Sequence, residues 1–495
     1  MSKSYKYMTP EEAAAYVQHN DCIGISGFAG AGAPKLIPAA IADLARKEHL
    51  NGKKFKIKLI SGASTGPLVD GVLAKADAIS YRVPYQSSAE LRSLINSGAV
   101  DYVDMHLSEV AQDLRFNHLP PIDIAIIEAA DINENGDITL TTSSGNSPLI
   151  CQSAQKIIIE LNQFHSPRLK EIHDVYMPRR EDERKPVVVP HVYSRIGTGV
   201  VKVSPDKIIG IVQTNQSDAI TPFKSNTNTT DAIGKHVVQF LEQEFLSGGM
   251  RDGFFPLQSG VGNIANSVLS CLSQSSIIPP VCMYTEVAQD AVIELIKKGR
   301  CDFVSACSLT VTDEVLKEIY DNFDFYRDKL LLRPQEVSNS PGICRQLSVV
   351  SINTALEADI FGNVNSSHLY GTHMMNGIGG SGDFARNAAL SIFVCPSITK
   401  GGNISAIVPM VAHTDHTEHD VKVLITEQGI ADLRGKSPRE RAKLIIENCA
   451  HPDYRDKLRK YLQLNKEGHT PHTLEKAFSF HLAFKQTGDM KNAEL

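Results

Sequence analysis

The chain has no excess of basic residues: 50 Lys and Arg stand against 56 Asp and Glu, a formal net charge of -6 with a pI near 6.3. That balance argues against nucleic acid as a partner, because neutralising phosphates takes a dense cationic face. No apolar run approaches the ~18–20 residues a membrane helix needs, so no membrane span is expected. The opening stretch MSKSYKYMTPEEAAAY lacks an apolar core ahead of a small-residue cleavage site and does not read as a signal peptide. Nine cysteines run from Cys22 to Cys449 without a C-x-x-C pair. That usage fits buried free thiols in a reducing compartment, with the cytoplasm as the expected location. Cys282 lies close to Glu286 in sequence but reads as a core thiol rather than a nucleophile.

What is present is a long chain, 495 residues with 42% apolar, enough for two to four domains. Short β-rich runs alternate with helical patterns. Strands are expected at Cys22–Ser26, Phe55–Ser61, Ile122–Ile127, Ile157–Leu161 and Lys207–Val212. In the second half they are expected at Val281–Tyr284, Phe303–Ala306, Val349–Asn353, Ser391–Val394 and Val421–Thr426. Near-continuous apolar strands suit sheets covered on both faces, and the alternation predicts an α/β architecture with mainly parallel sheets. In VAQDAVIELIKKG, the residues Ala288, Ala291, Val292, Leu295 and Ile296 form one helical stripe, with Gly299 as the stop. The polar, turn-rich stretch 214–231 divides the chain, giving an N-terminal α/β domain over 1–220 and a C-terminal one over 221–495. SGFAGAG (26–32) and SGVGNIAN (259–266) echo one another across that division. Both duplication and two independent turns account for the echo.

Several motifs admit a chemical reading beside a plain one. SGFAGAGAPK (26–35) offers closely spaced amides where a strand turns into a helix. It lacks both the full dinucleotide fingerprint and the Lys-Ser/Thr ending of a P-loop, so a tight turn explains it equally. NGIGGSGDFARNA (376–388) carries Gly377, Gly379, Gly380 and Gly382, a density that implies close approach or positive φ. Such a loop suits an oxyanion donor, or simply a loop tip. HTDHTEHD (413–420) holds His413, His416 and His419 at a spacing of three, not the i, i+4 pair of a helical zinc site. Three histidines at that period do not face one point on a loop or strand, and no metal site is expected. The tract 165–185 reads as a solvated loop in which Arg179 and Arg180 offer charge to an anion. In VCMYTEVAQD (281–290), Glu286 stands where a strand hands over to a helix. It is either a first-turn acid favoured by the helix dipole or a carboxylate nucleophile at the carboxyl edge of a parallel sheet.

Taken in order, GFAGAGAPK, residues 85–110, QSGVGNIANSV, YTEVAQD, SNSP, NGIGGSGDFARNA, ITKGGNISAIVP, HTDHTEHDV and ITEQGIADLRG make the chain resemble the acetyl-CoA hydrolase/transferase family. The likeness, from about residue 8 to about residue 480, is to class I CoA-transferases of the succinyl-CoA:acetate type. It implies two CoA-transferase-type domains with the active site at their interface, and a homodimer. Coenzyme A is implied as a substrate and covalent intermediate, with no permanently bound cofactor; acyl-CoA and short-chain carboxylates are the implied partners. Glu286 matches the catalytic glutamate, which cycles through a glutamyl-CoA thioester, and the helix dipole behind it is expected to keep it ionised. Gly380 matches the oxyanion-hole glycine and Asn339 an asparagine orienting the glutamate or substrate carboxylate. Glu427 matches an auxiliary acid. Gly260, Val261, Gly262, Asn263, Ile264 and Ala265 match the loop alongside CoA. Asn376 and Lys400 match further CoA-contacting positions, as does Gly380. Succinyl-CoA and acetate are the expected pair, with acetyl-CoA hydrolysis, propionate or butyrate as alternatives.

Overall fold

A computed structural model describes residues 5–178, 185–218, 220, 226–250 and 254–495. Arg179 and Arg180 lie outside the described residues. By packing, the chain forms two compact units: Met1–Pro222 with Met283–Ile296 and Asp302–Leu347, and Phe223–Cys282 with Lys297–Cys301 and Ser348–Leu495.

The first unit is built on β1 (Cys22–Ile25), β2 (Ile57–Ile60), β3 (Ile79–Val83), β4 (Asp101–Tyr102), β5 (Ile124–Ile132), β6 (Asp137–Leu140), β7 (Lys156–Asn162), β8 (Val201–Lys202) and β9 (Ile208–Thr214). Parallel pairings link β4, β3, β2, β1, β5, β7 and β9, while β6 and β8 add an antiparallel arm to β5. Ile23, Ile25, Ile57, Leu59, Ile124, Ile126 and Ile158 are buried in one core layer. Ile60, Ala125, Ile127, Ile157 and Ile159 are buried in the layer on the other side. Alternate residues thus fill opposite faces, which is why these strands read as unbroken apolar runs. In the second unit, Leu257–Ser259, Val350–Thr354, Leu390–Val394 and Val423–Thr426 pair in parallel, and Gly429–Asp432 closes the edge antiparallel. The α/β class and mainly parallel sheets are as expected. Among the described residues no helix is long and apolar enough to cross a membrane.

By packing, the chain after residue 226 is not one piece. Met283–Ile296, with Glu286, packs with the first unit. Backbone bonds explain it. Thr285 N–H donates to the Ser305 carbonyl at 2.9 Å and Thr310 N–H to that of Ala288 at 2.8 Å. Ser144 and Leu309 N–H groups in turn donate to Cys307 and Thr142 carbonyls at 2.9 and 2.7 Å. The helix expected in VAQDAVIELIKKG spans Asp290–Lys297, while Ala288 belongs to the short strand Val287–Ala288 instead.

A buried charge network anchors the first glycine loop. Lys35 Nζ lies 2.5 Å from Glu128 Oε1 and 2.7 Å from Asp218 Oδ1, and Asp218 Oδ1 also accepts from Gly32 N–H at 3.1 Å. The ammonium holds Asp218 below the usual carboxylate range against the opposing effect of burial. Removing one member of such a network leaves a buried charge uncompensated. Lys35→Met should therefore lower the unfolding free energy by about 3–5 kcal/mol. Urea denaturation with an unchanged slope checks this; a loss under about 1 kcal/mol would show that the network is dispensable.

Candidate active site

Glu286 follows the strand Val281–Tyr284 and precedes Val287–Ala288, so three residues separate it from the start of the helix Asp290–Lys297. It is not a first-turn acid. Asp290 takes that position, and its carboxylate accepts from Thr312 N–H at 2.9 Å. The Glu286 carbonyl accepts from the N–H groups of Cys307 and Ser308 at 2.8 and 3.0 Å. Beneath it, the buried Tyr284 hydroxyl donates to the Val337 carbonyl. The backbone that carries the carboxylate is therefore fixed on both sides.

The side chain is half-buried as a residue, but its carboxyl is crowded by protein. Asn339 Nδ2 donates to Oε1 at 2.5 Å. Asn339 is fully buried at the end of the short helix Gln335–Ser338, and its own Oδ1 accepts from Ser338 Oγ at 2.9 Å. That helix is tied down by Gln335, whose N–H donates to Gly145 O at 2.9 Å and whose Nε2 donates to Leu107 O at 2.7 Å. The bond from Asn339 to Glu286 is thus presented by a rigid support. Burial pushes the Glu286 carboxyl up to about 7, with the Asn339 bond pulling the other way. The expectation was that a helix dipole keeps the group ionised; here desolvation outweighs the Asn339 bond and raises the group instead.

An apolar cluster of Phe28, Ala63, Leu107, Val287 and Cys307, edged by Ala29 and Tyr85, includes the residue that follows Glu286 and a thiol close enough to feel its carboxylate charge. Val287 follows Glu286 in the chain, and Cys307 binds its carbonyl. Burial pushes the Cys307 thiol up to about 12, so it is a packing group and not a competing thiolate. Cys282 is partly exposed, whereas Cys307 occupies the core position that the sequence suggested for Cys282. Two glycines make the cluster compact. A Cβ on Gly62 would stand 2.7 Å from Gly27 O and 3.1 Å from Phe28 Cδ2; one on Gly27 would stand 2.8 Å from Ala33 Cβ. SGFAGAG therefore turns tightly to bring Phe28 and Ala29 to the cluster, with Ala29 itself at φ 53°.

The other expected residues lie in the second unit. Gly260 N–H donates to Ile352 O at 3.0 Å, and Gly262, at φ 108°, caps the helix Asn263–Gln274, which carries Ile264 and the buried Ala265; Val261 is exposed. Gly377 and Gly379 have positive φ, and Gly380, at φ -91°, caps the short helix Ser381–Ala385. Asn376 opens this turn. Ser381 Oγ bonds Ile378 O at 2.7 Å and His416 Nε2 at 3.0 Å, so buried His416 braces the glycine turn, a role its sequence did not disclose. Lys400 is exposed, with Nζ 5.2 Å above the Phe484 ring. Glu427 follows the strand Val423–Thr426; its carboxylate accepts from Ser397 N–H at 2.8 Å, from Ser397 Oγ, and from Gln428 Nε2 at 3.1 Å. Of the expected catalytic residues, the structure brings Glu286 and Asn339 into direct contact. A separate cleft of about 520 Å³ in the second unit contains none of the expected residues. Two of its cations are engaged: Arg434 pairs with Glu244 and Asp432, and Lys422 Nζ donates to the Ala388 and Ala389 carbonyls.

A half-buried carboxylate held by an amide donor beside apolar walls is suited to covalent acyl chemistry, since scarce water preserves an activated acyl group. Comparison with known proteins agrees. The N-terminal domain description of the acetyl-CoA hydrolase/transferase family matches residues 2–243 and the C-terminal domain description matches 316–462. A propanoyl-CoA:succinate CoA transferase of Escherichia coli (strain K12) is 48% identical over 490 residues, 99% of this chain and 100% of the relative. A succinyl-CoA:acetate CoA-transferase of Clostridium kluyveri is 47% identical over 489 residues, 98% of this chain and 90% of the relative. Among solved structures, RipA from Yersinia pestis superposes with a TM-score of 0.71 at 23% identity, covering 92% of this chain and 96% of that one, a likeness of fold. With both domain descriptions matched in order and relatives of this identity spanning nearly all of it, the chain belongs to the acetyl-CoA hydrolase/transferase family.

Proposed function

We propose that the protein is a CoA-transferase that moves CoA between short-chain carboxylates by a ping-pong mechanism, with Glu286 as nucleophile. The observation that carries this reading is the Glu286 carboxyl, bonded to Asn339 and set beside an apolar cluster. In the first step a Glu286 oxygen attacks the thioester carbon of an acyl-CoA. The C–S bond breaks, leaving a mixed anhydride and CoA thiolate. The thiolate then attacks the glutamyl carbonyl and expels the first carboxylate, giving the glutamyl-CoA thioester. A second carboxylate attacks that thioester, releases the thiolate and forms a new anhydride. Attack of thiolate on the new acyl carbon frees Glu286 and the second acyl-CoA. Each tetrahedral stage needs a donor for the developing oxyanion, for which Gly380 N–H is proposed. Asn339 is proposed to orient the nucleophile, and Glu427 is a proposed positioning residue. Gly260 to Ala265, Asn376 and Lys400 are proposed CoA contacts, the lysine as a point charge for phosphate.

The substrate pair proposed is succinyl-CoA and acetate, with propionate as the near alternative given the propanoyl-CoA activity in the name of one relative. The compact apolar cluster favours a short acyl chain and the exclusion of water, and so a transferase over a hydrolase. Incubation with acyl-CoA alone should add CoA covalently to the peptide containing Glu286, read by mass spectrometry, and Glu286→Ala should lower transfer by a factor on the order of 10⁴ or more. Turnover without that adduct would sink the mechanism. Rapid loss of acetyl-CoA without succinate would select the hydrolase instead.

The nucleophile is the ionised carboxylate, and its folded-state value is raised to about 7. The kcat/KM for acyl-CoA should therefore be full above that pH and fall as pH drops through it. Asn339→Ala removes the bond that favours the charged form, so its limb should move to higher pH. A limb at the same pH in that variant would assign the titration to another group. Ala63→Val adds volume within the cluster and should lower kcat/KM for butyryl-CoA by about tenfold more than for acetyl-CoA. An unchanged preference would place the acyl chain elsewhere.

A further inference from the structure

His413, on a segment whose histidine spacing argues against a metal, acquires a partner from a distant strand. His368 lies on the short hairpin strand His368–Leu369, and its ring centroid is 3.8 Å from that of His413 with 37° between the planes. Asp415 joins them. One ligand atom each from His368, His413 and Asp415 lies within 4.8 Å of the others. His416 and His419 do not take part: the first turns to Ser381, and the second is exposed beside Glu418.

We propose that His368, His413 and Asp415 bind one divalent transition-metal ion of the zinc class. Two imidazoles and a carboxylate suit such an ion, and three protein ligands leave a position for water. Donors at ~2.0–2.2 Å from a tetrahedral ion stand ~3.4 Å apart. His413 Nε2 and Asp415 Oδ1 are already 3.3 Å apart, and a His368 ring nitrogen lies within 4.8 Å of a ligand atom of each. The central carboxylate selects a cation over an anion.

The supporting shell is also in place. Ser367 Oγ lies 2.8 Å from His368 Nδ1 and 2.7 and 2.8 Å from the two Asp415 oxygens, which couples ring and carboxylate through one hydroxyl. Ser366 N–H donates to Asp415 Oδ2 at 2.6 Å, and the Asp415 side chain is only 3% exposed. Second-layer bonds of this kind fix ligand orientation. The rim stays open, because His413 is 37% exposed. The hairpin so bound continues directly into Asn376 and the glycine turn, and Met375 N–H donates to Ser367 O at 2.8 Å. The ion would fasten this hairpin to the 413–415 segment.

The test is metal binding by the full chain after chelator treatment and dialysis. Elemental analysis should find one Zn²⁺ per chain, Co²⁺ should give a visible ligand-field band, and Zn²⁺ should raise Tm. His368→Ala and His413→Ala should each abolish the Co²⁺ band, and Ser367→Ala should weaken binding by about 10–100-fold. His419→Ala, removing an exposed neighbour, should bind as the parent does. Absence of bound ion in the parent chain with metal in excess overturns the proposal, as does a Co²⁺ band that survives in both His368→Ala and His413→Ala.

Discussion

A carboxylate must be kept in partly dry surroundings without being neutralised for good. Everything built around Glu286 serves that constraint. Desolvation alone opposes the charge, and the Asn339 bond restores part of what burial removes. The balance settles near neutrality, where the group is available both as an anion and in surroundings poor in water. A carboxylate as well solvated as those on the surface would ionise readily but share its pocket with the solvent that destroys an activated acyl group. One left with no donor would stay protonated at neutral pH. The proposed nucleophile therefore depends less on its own chemistry than on how firmly Asn339 is held, and Gln335 and Ser338 supply that hold from a helix of four residues.

How far this was legible in sequence differs from strand to strand. Every strand expected from an apolar run is present, because a strand covered on both faces leaves no alternation to misread. The strand Ile79–Val83 was not anticipated, since Arg82 interrupts its pattern. The structure buries that guanidinium against Asp70, with Nε 2.8 Å from Oδ1. A charge satisfied by a residue twelve positions away cannot be told in sequence from one facing water. The same holds at Lys35, whose two acidic partners lie 93 and 183 residues along the chain.

At the site, the position of Glu286 at the end of a strand followed from local pattern, and its environment did not. Reading the acid as the first turn of a helix misplaced the field acting on it: a two-residue strand intervenes before Asp290, and burial, opposed by the Asn339 bond, shifts its ionisation. Asn339 emerged only through resemblance, since an asparagine before Ser-Pro carries no local mark of a catalytic partner. His416 shows the reverse case. Its neighbours invited a metal reading, while the residue itself is a brace beneath Ser381. Spacing of three correctly argued that His413, His416 and His419 do not converge, yet spacing says nothing about His368 arriving from another strand.

The choice between moving CoA and simply releasing it is governed by the same shell. In the proposed mechanism both outcomes pass through an activated glutamyl carbonyl on the same nucleophile, so residue identity at Glu286 does not separate them. What separates them is whether water or a carboxylate reaches that carbonyl first. The Gly27–Gly62 approach leaves no room for a side chain, and it draws Phe28 and Ala63 into one apolar wall. Enlarging that space would admit water along with longer acyl groups. Substrate length and resistance to hydrolysis are thus two consequences of one packing constraint, and a change that relaxes the first should erode the second.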